Sequence, residues 1–144
     1  MEAKDYLTIA NLVGGFGNLV DKREWDKAVQ LFAPVVEVDY TSLFGGSAQE
    51  QKREDLVYGW SQFLPRFTCT EHHIAQPYIE INGEKAIARA AVVAYHFTGE
   101  SLQQQGSEWV IGGHYRFIMK KTAGEWKIQT VILQALWQKG TPPN

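Results

Sequence analysis

Four histidines (His72, His73, His96 and His114) and one oddly placed carboxylate, Asp21, are the side chains in this sequence suited to moving protons. Neighbouring residues of a strand point to opposite faces, so at most one of His72 and His73 faces a core, and the pair is no ready chelate. Asp21 falls at the C-terminal end of a helix-patterned segment, where the helix dipole favours a basic residue over a carboxylate. Its spacing from Ala10 and Gly17 puts it on the inner edge of that helix. A partly buried carboxylate needs a partner, and an inward histidine is the most useful one available. Such a pair would fix the imidazole tautomer and raise its basicity, which makes a general base near neutral pH.

His96 ends a strand-patterned run with Ala86, Ala88, Ala90, Val92 and Ala94 on its own face, and Ile87, Arg89, Val93, Tyr95 and Phe97 on the other. Two readings fit this small face. Opposite large aromatic neighbours it leaves a void into which His96 projects, or it makes room for a helix and His96 only satisfies an internal hydrogen bond. Ser42, Ser47 and Cys69 have no nucleophile motif around them, and no phosphate-binding glycine pattern precedes a helix. The histidines show neither HxH nor HxxxH spacing, so neither a metal nor another cofactor is expected.

The elements that must position these groups follow from periodicity. Tyr6, Ile9, Ala10, Val13, Phe16, Gly17 and Val20 form one helical face. Gly14, Gly15 and Gly17 weaken that helix by roughly 1 kcal/mol each relative to Ala, which calls for a compensating reason, either a thin helix wall beside a cavity or close packing on a neighbour. A second helix is expected over 24–32, carrying Trp25, Ala28, Val29 and Phe32 and ended by Pro34. Residues 35–42 read as a strand with Val36, Val38 and Tyr40 inward and Asp39 outward. A third helix is expected over 48–64, with Leu56, Trp60, Phe63 and Leu64 inward and Pro65 as its stop.

The remainder is strand-like: 67–74, 78–81, 85–98, 107–121 and 125–137, divided by turns at Asn82-Gly83, Gly99 and Ala123-Gly124. A further turn is expected at Gln103 to Gln105, and a Pro-rich tail from Thr141. Short connections favour antiparallel neighbours. Helices first and long strands last predict a single α+β domain over 1–144, in which a curved, mostly antiparallel sheet wraps over three N-terminal helices.

Composition narrows the partners. With 144 residues, 14 Lys+Arg, 16 Asp+Glu and a formal charge of −2, the chain has no strong field of either sign. Nucleic acid and anionic membrane surfaces are therefore not expected as partners. The 44% hydrophobic and 21% charged content fits a folded domain rather than a disordered chain. One cysteine, Cys69, excludes an intrachain disulfide and fits a reducing, cytoplasmic compartment. No apolar run approaches the ~20 residues that span a bilayer, and the N-terminus lacks the order of a signal peptide.

Three stretches are similar to a known family: Asp21-Lys-Arg-Glu-Trp-Asp26 running on through Leu31-Phe-Ala-Pro34 to Val38-Asp-Tyr40-Thr-Ser42; Thr70-Glu-His72-His73-Ile74 with Tyr95-His96; and Lys120-Lys-Thr-Ala-Gly-Glu-Trp126. In these the chain resembles the scytalone dehydratase and SnoaL-like branch of the nuclear transport factor 2-like superfamily. The resemblance spans nearly the whole chain and implies a cone-shaped α+β barrel. Residue by residue, it implies that Asp21 is the catalytic aspartate and His72 the histidine it orients, His72 being favoured over His73 because the family histidine follows a Thr-x pair. It also implies that His96 is a second active-site histidine and that Tyr40 helps polarise a substrate carbonyl. Two departures argue against scytalone itself as substrate. Val20 stands where that enzyme has a tyrosine, and Gly113 and Tyr115 stand for a serine and an asparagine of a late strand.

The expectation is thus a cofactor-independent lyase or isomerase. His72, oriented by Asp21, removes a proton beside a carbonyl of a small, apolar or aromatic cyclic substrate of polyketide-like type; Tyr40 holds the enolate and His96 protonates a leaving hydroxyl or a dienolate carbon. Phe16, Trp60, Phe63, Trp109, Tyr115 and Phe117 are the expected pocket lining, although each would serve equally as plain core. Tyr95 alternates away from His96. The alternative is a module of the same fold that only binds a small molecule or dimerises. An outer sheet face carrying Ile87, Val93, Tyr95 and Phe97 predicts a homo-oligomer, and the resemblance favours a trimer over a dimer.

Overall fold

The apolar stripe Ile9, Val13, Phe16, Gly17 and Val20 is buried along one side of α1 (Ala3–Asp21), the helix predicted by its 3.6-residue period. The structure is a computed structural model that describes residues 3–100 and 106–142; the expected turn at Gln103 to Gln105 and the end of the tail lie outside them. A Schellman arrangement ends α1, with Glu24 N–H bonded to Leu19 O and Arg23 N–H to Val20 O. Arg23 takes the left-handed conformation there, at φ 57°.

The second helix is shorter than the 24–32 span predicted. α2 (Trp25–Ala28) gives way to a single 3-10 turn, Val29–Leu31, and Phe32 already opens β1 (Phe32–Asp39). Pro34 sits inside that strand, at an exposed position near its start. The strand then stops at Asp39, short of the Ser42 end predicted, because the Asp39 carboxylate accepts hydrogen bonds from Thr41 N–H (3.0 Å) and Thr41 Oγ1 (2.7 Å). That turn starts the four-residue α3 (Thr41–Phe44).

The predicted helix over 48–64 is also divided. Its first part is a polar edge strand, β2 (Gln49–Lys52), paired antiparallel with β1 from Val35↔Lys52 to Val38↔Gln49, and α4 begins only at Arg53 (Arg53–Phe63). Pairing satisfies β1 backbone groups that a helix would leave open, and its charged and amide side chains suit an edge. Among the described residues, two long and two very short α-helices therefore stand in place of the three predicted.

The remaining strands are β3 (Cys69–Ile74), β4 (Tyr78–Asn82), β5 (Lys85–Phe97), β6 (Glu108–Thr122) and β7 (Glu125–Lys139). Ala123 and Gly124, both at positive φ, make the tight β6–β7 turn. The sheet runs β2-β1-β7-β6-β5-β3, with β4 also on β5. Among the described residues all strand pairs are antiparallel except β1–β7. It curls over α1 and α4 without closing, leaving β2 and β3 as edges. Bulges in the β6–β7 ladder at Gly112/Gly113 and Ile118/Met119 sharpen the bend.

The core fills the narrow end of this cone with Ile9, Val13, Phe32, Phe117, Met119 and Ile128, all fully buried or nearly so. The alanine face of β5 splits between the two sequence readings. Ala86 and Ala88 pack in that core, while Val92, Ala94 and His96 border a space at the wide end. No helix among the described residues is long and apolar enough to cross a membrane.

Candidate active site

At the wide end of the cone the walls line a partly open, mainly apolar cavity of about 260 Å³. Phe16 of α1 forms its floor, meeting Trp60 (5.6 Å between centroids) and Tyr115 (5.2 Å) edge to face. Phe63, Trp60 and Leu64 close one side, Tyr115, Ile111 and Trp109 the other, and Tyr40, Leu43 and Phe44 reach in from the end of β1 and from α3. Of the six aromatics expected to line a pocket, five do. Phe117 is the exception: it is completely buried behind Phe16, 5.2 Å away, because its position on β6 is two residues deeper into the cone than Tyr115. Tyr95 lies on the outer face, stacked with Phe97.

Strand register brings the polar groups together. The β3–β5 ladder sets Thr70 opposite His96 and His72 opposite Ala94, so Thr70 and His72 share the inner face while His73 turns outward to Glu71, 63% exposed. α1 lies across β3 and ends with Asp21 against it. The Asp21 carboxylate accepts three hydrogen bonds: from Thr70 Oγ1 (3.0 Å) and His72 Nδ1 (2.7 Å) at Oδ1, and from the His72 backbone N–H (2.7 Å) at Oδ2. Because a carboxylate only accepts, Nδ1 of His72 carries a proton, and in the neutral ring Nε2 is the nitrogen with a lone pair. His72 borders the cavity.

Arg23 fixes the end of α1 that carries Asp21. Its guanidinium donates to the carbonyls of Phe67 (2.6 Å) and Leu64 (3.2 Å), tying the helix end to the turn that leads into β3. Sequence reasoning missed this residue. A left-handed helix end usually announces itself by glycine, and here an arginine takes the place.

His96 is buried between the rings of Phe67 (4.9 Å) and Trp109 (4.7 Å), with its centroid 6.1 Å from that of His72. Its Nδ1–H donates to the Trp109 carbonyl at 2.9 Å. Burial lowers its pKa, the Trp109 hydrogen bond opposes this, and the nearby His72 and Asp21 act in opposite senses. A neutral ring whose Nδ1–H is engaged presents an acceptor at Nε2. Burial likewise pushes the Tyr40 phenol up to about 12, its hydrogen bond with Tyr115 working the other way, and raises Tyr115 well above the usual tyrosine value. Both phenols stay protonated as donors.

Val20 lines the cavity where the resemblance would place a phenol. Gly113 sits in the β6–β7 bulge, where a Cβ would run into the Gln134 carbonyl. Among the described residues no three His, Cys, Asp or Glu side chains gather as metal ligands, and His114 is exposed on the far side of the sheet.

The SnoaL-like domain family matches residues 1–132. Among solved structures, the Kfla4162 protein from Kribbella flavida superposes with a TM-score of 0.86 at 23% identity, over 94% of this chain and 93% of that one. A candidate scytalone dehydratase from Novosphingobium aromaticivorans gives 0.75 at 20% identity over 97% and 89%. A hexachlorocyclohexane dehydrochlorinase from Novosphingobium barchaimii gives 0.76 at 16% identity over 96% and 90%. At these identities the likeness is one of fold. Among curated proteins none matches the sequence significantly.

Proposed function

The chain belongs to the SnoaL-like family, and on that premise we propose that it is a cofactor-independent lyase or isomerase acting on a small, uncharged cyclic carbonyl compound. The observation that carries this reading is the Asp21–His72 pair, whose histidine lines a partly open, mainly apolar cavity. A carboxylate at a helix C-terminus is costly. Held against a histidine with a bare Nε2, it equips that ring to take a proton from carbon.

In the proposed step, Nε2 of His72 takes a proton from the carbon beside the substrate carbonyl. The C–H electron pair forms a carbon–carbon double bond, and the carbonyl oxygen becomes an enolate held by the Tyr40 hydroxyl. In a dehydration the carbonyl re-forms, the bond to a β-hydroxyl breaks, and the proton returned from His72 completes a water molecule. In an isomerisation the same proton returns to a distal carbon. Neither course needs an oxidant, a reductant or a metal. His96, neutral with an acceptor nitrogen, orients a substrate hydroxyl rather than protonating it.

Among the described residues no lysine, arginine, aspartate or glutamate lines the cavity, which favours a neutral substrate over a carboxylate or phosphate. Polyketide-like phenols and cyclic ketones have a polarity that suits this lining. The test is NMR-detected deuterium incorporation from D₂O into neutral cyclic ketones beside their carboxylated analogues. Incorporation confined to the neutral set supports the reading; tight binding with no incorporation favours a ligand-holding module instead.

Assembly is through the outer sheet face, with a trimer favoured over a dimer. Tyr95 and Phe97 stack there at 5.9 Å, and the half-exposed Trp137 lies over Gly112. Sedimentation at micromolar concentration should give a trimer, and a monomer would remove this part of the proposal.

A further inference from the structure

Three glycines of α1 share a helix but not a surrounding. A Cβ built on Gly14 meets nothing within 4 Å, and one on Gly15 comes 3.1 Å from Cδ2 of Leu31. On Gly17 it would stand 3.1 Å from Cδ1 of Ile74 and 3.3 Å from both Cβ and the backbone oxygen of His72. The difference lies in what can yield. Leu31 Cδ2 and Ile74 Cδ1 are free ends of flexible side chains, whereas the Cβ and carbonyl of His72 are fixed by the β3–β5 ladder, in which His72 faces Ala94.

Gly17 and Asp21 are four residues apart and therefore stacked on one face of a stiff helix. Any recoil of α1 from β3 at Gly17 is carried one turn on, to the carboxylate. The two bonds from His72 to Asp21 are both 2.7 Å, at the short end of the N–H···O range. A recoil of a few tenths of an ångström would lengthen both and loosen the tautomer and orientation they impose.

We infer that Gly17 is a positioning residue whose missing side chain sets the α1–β3 separation at which Asp21 grips His72. The inference rests on the proposed role of that pair in proton abstraction. It also resolves the sequence puzzle of the glycines: Gly17 serves close packing on the strand that carries the base, and Gly14 has no such neighbour.

The test compares Gly17→Ala with Gly14→Ala by the ¹H resonance of His72 Nδ1–H in ¹⁵N-labelled protein, thermal melting, and the kcat and KM of deuterium exchange. Gly14→Ala should melt higher than wild type, because alanine is the better helix former, with resonance and exchange unchanged. Gly17→Ala should shift the Nδ1–H resonance upfield or broaden it, and lower kcat about tenfold with little change in KM, as small misplacements of a base do. An unmoved resonance with an unchanged kcat overturns the inference.

A double variant, Gly17→Ala with Ile74→Ala, relieves the flexible contact and leaves the two His72 contacts in place. It decides the matter should the single variant fail to fold. Restored resonance and rate in the double variant would assign the constraint to Ile74 and overturn the inference. The resonance is read without substrate, so failure of Gly17's role stays distinct from failure of the proposed chemistry, which Asp21→Asn tests.

Discussion

Asp21 holds His72 at two points: Oδ1 takes the ring Nδ1–H and Oδ2 takes the backbone N–H of the same residue, each at 2.7 Å. A single carboxylate thus fixes both the strand position and the ring of its partner, and Thr70, 3% exposed, completes its coordination. Thr70→Val keeps the shape and removes one donor to a charged acceptor, for an expected loss of about 1–2 kcal/mol in stability. Urea unfolding of the two proteins measures it. No change in midpoint would mean that solvent replaces the threonine.

Arg23 occupies a conformation that costs a non-glycine residue about 1–2 kcal/mol, and two carbonyl hydrogen bonds compensate. Arg23→Ala loses the bonds and keeps the strain; Arg23→Gly loses the bonds and relieves it. The glycine variant should therefore exceed the alanine variant in stability by about 1 kcal/mol, with wild type above both. Equal midpoints for the two variants would contradict the strain.

His96 gives a pH dependence of definite sign. Its pKa falls below the ordinary 6.5 on folding, mainly through burial. The unfolded chain therefore binds the proton more readily, and the stability tied to a neutral His96 is present above about pH 6.5 and lost as pH falls through the lower folded value. His96→Gln should flatten the unfolding free energy below pH 6.5 by up to one proton's slope, about 1.4 kcal/mol per pH unit. A variant with the wild-type slope would mean that His96 protonates without cost in the fold.

Tyr40, with a phenol pushed up to about 12, stays a hydrogen-bond donor throughout the working range. Tyr40→Phe should lower kcat for exchange roughly 10²-fold, as loss of one oxyanion donor does, with little effect on KM. Any alkaline fall in wild-type activity well below pH 12 must then come from another group. A Tyr40→Phe enzyme of full activity would leave the enolate without its assigned donor.

Much of the site was legible because period-2 alternation is strict. It placed His96 on the inner face of β5, allowed only one of His72 and His73 inside, and set Tyr40 toward the cavity at the end of β1. The family resemblance supplied Asp21 as the partner of His72, and the two are bonded in the structure. Where tertiary context overrode local pattern, the sequence misled. Residues 49–52 look helical and polar but satisfy the edge of β1, and Phe32 fits a helical stripe yet opens a strand. Depth along the cone is not written in alternation either, which is why Phe117 shares a face with Tyr115 but lies beneath the cavity. The left-handed Arg23 depends on carbonyls 41 and 44 residues away, beyond the reach of any local signal.

The central claim, proton abstraction by His72 under the control of Asp21, is tested most directly by one comparison. Deuterium uptake at the carbon beside the carbonyl of a neutral cyclic ketone is followed by NMR in D₂O for wild type, Asp21→Asn and His72→Ala. The account predicts rapid uptake with wild type and a fall of about 10²–10⁴-fold in both variants, the usual scale of general-base catalysis. Equal binding of the ketone by all three proteins, with no uptake by any, would contradict it and make the cavity a receptor.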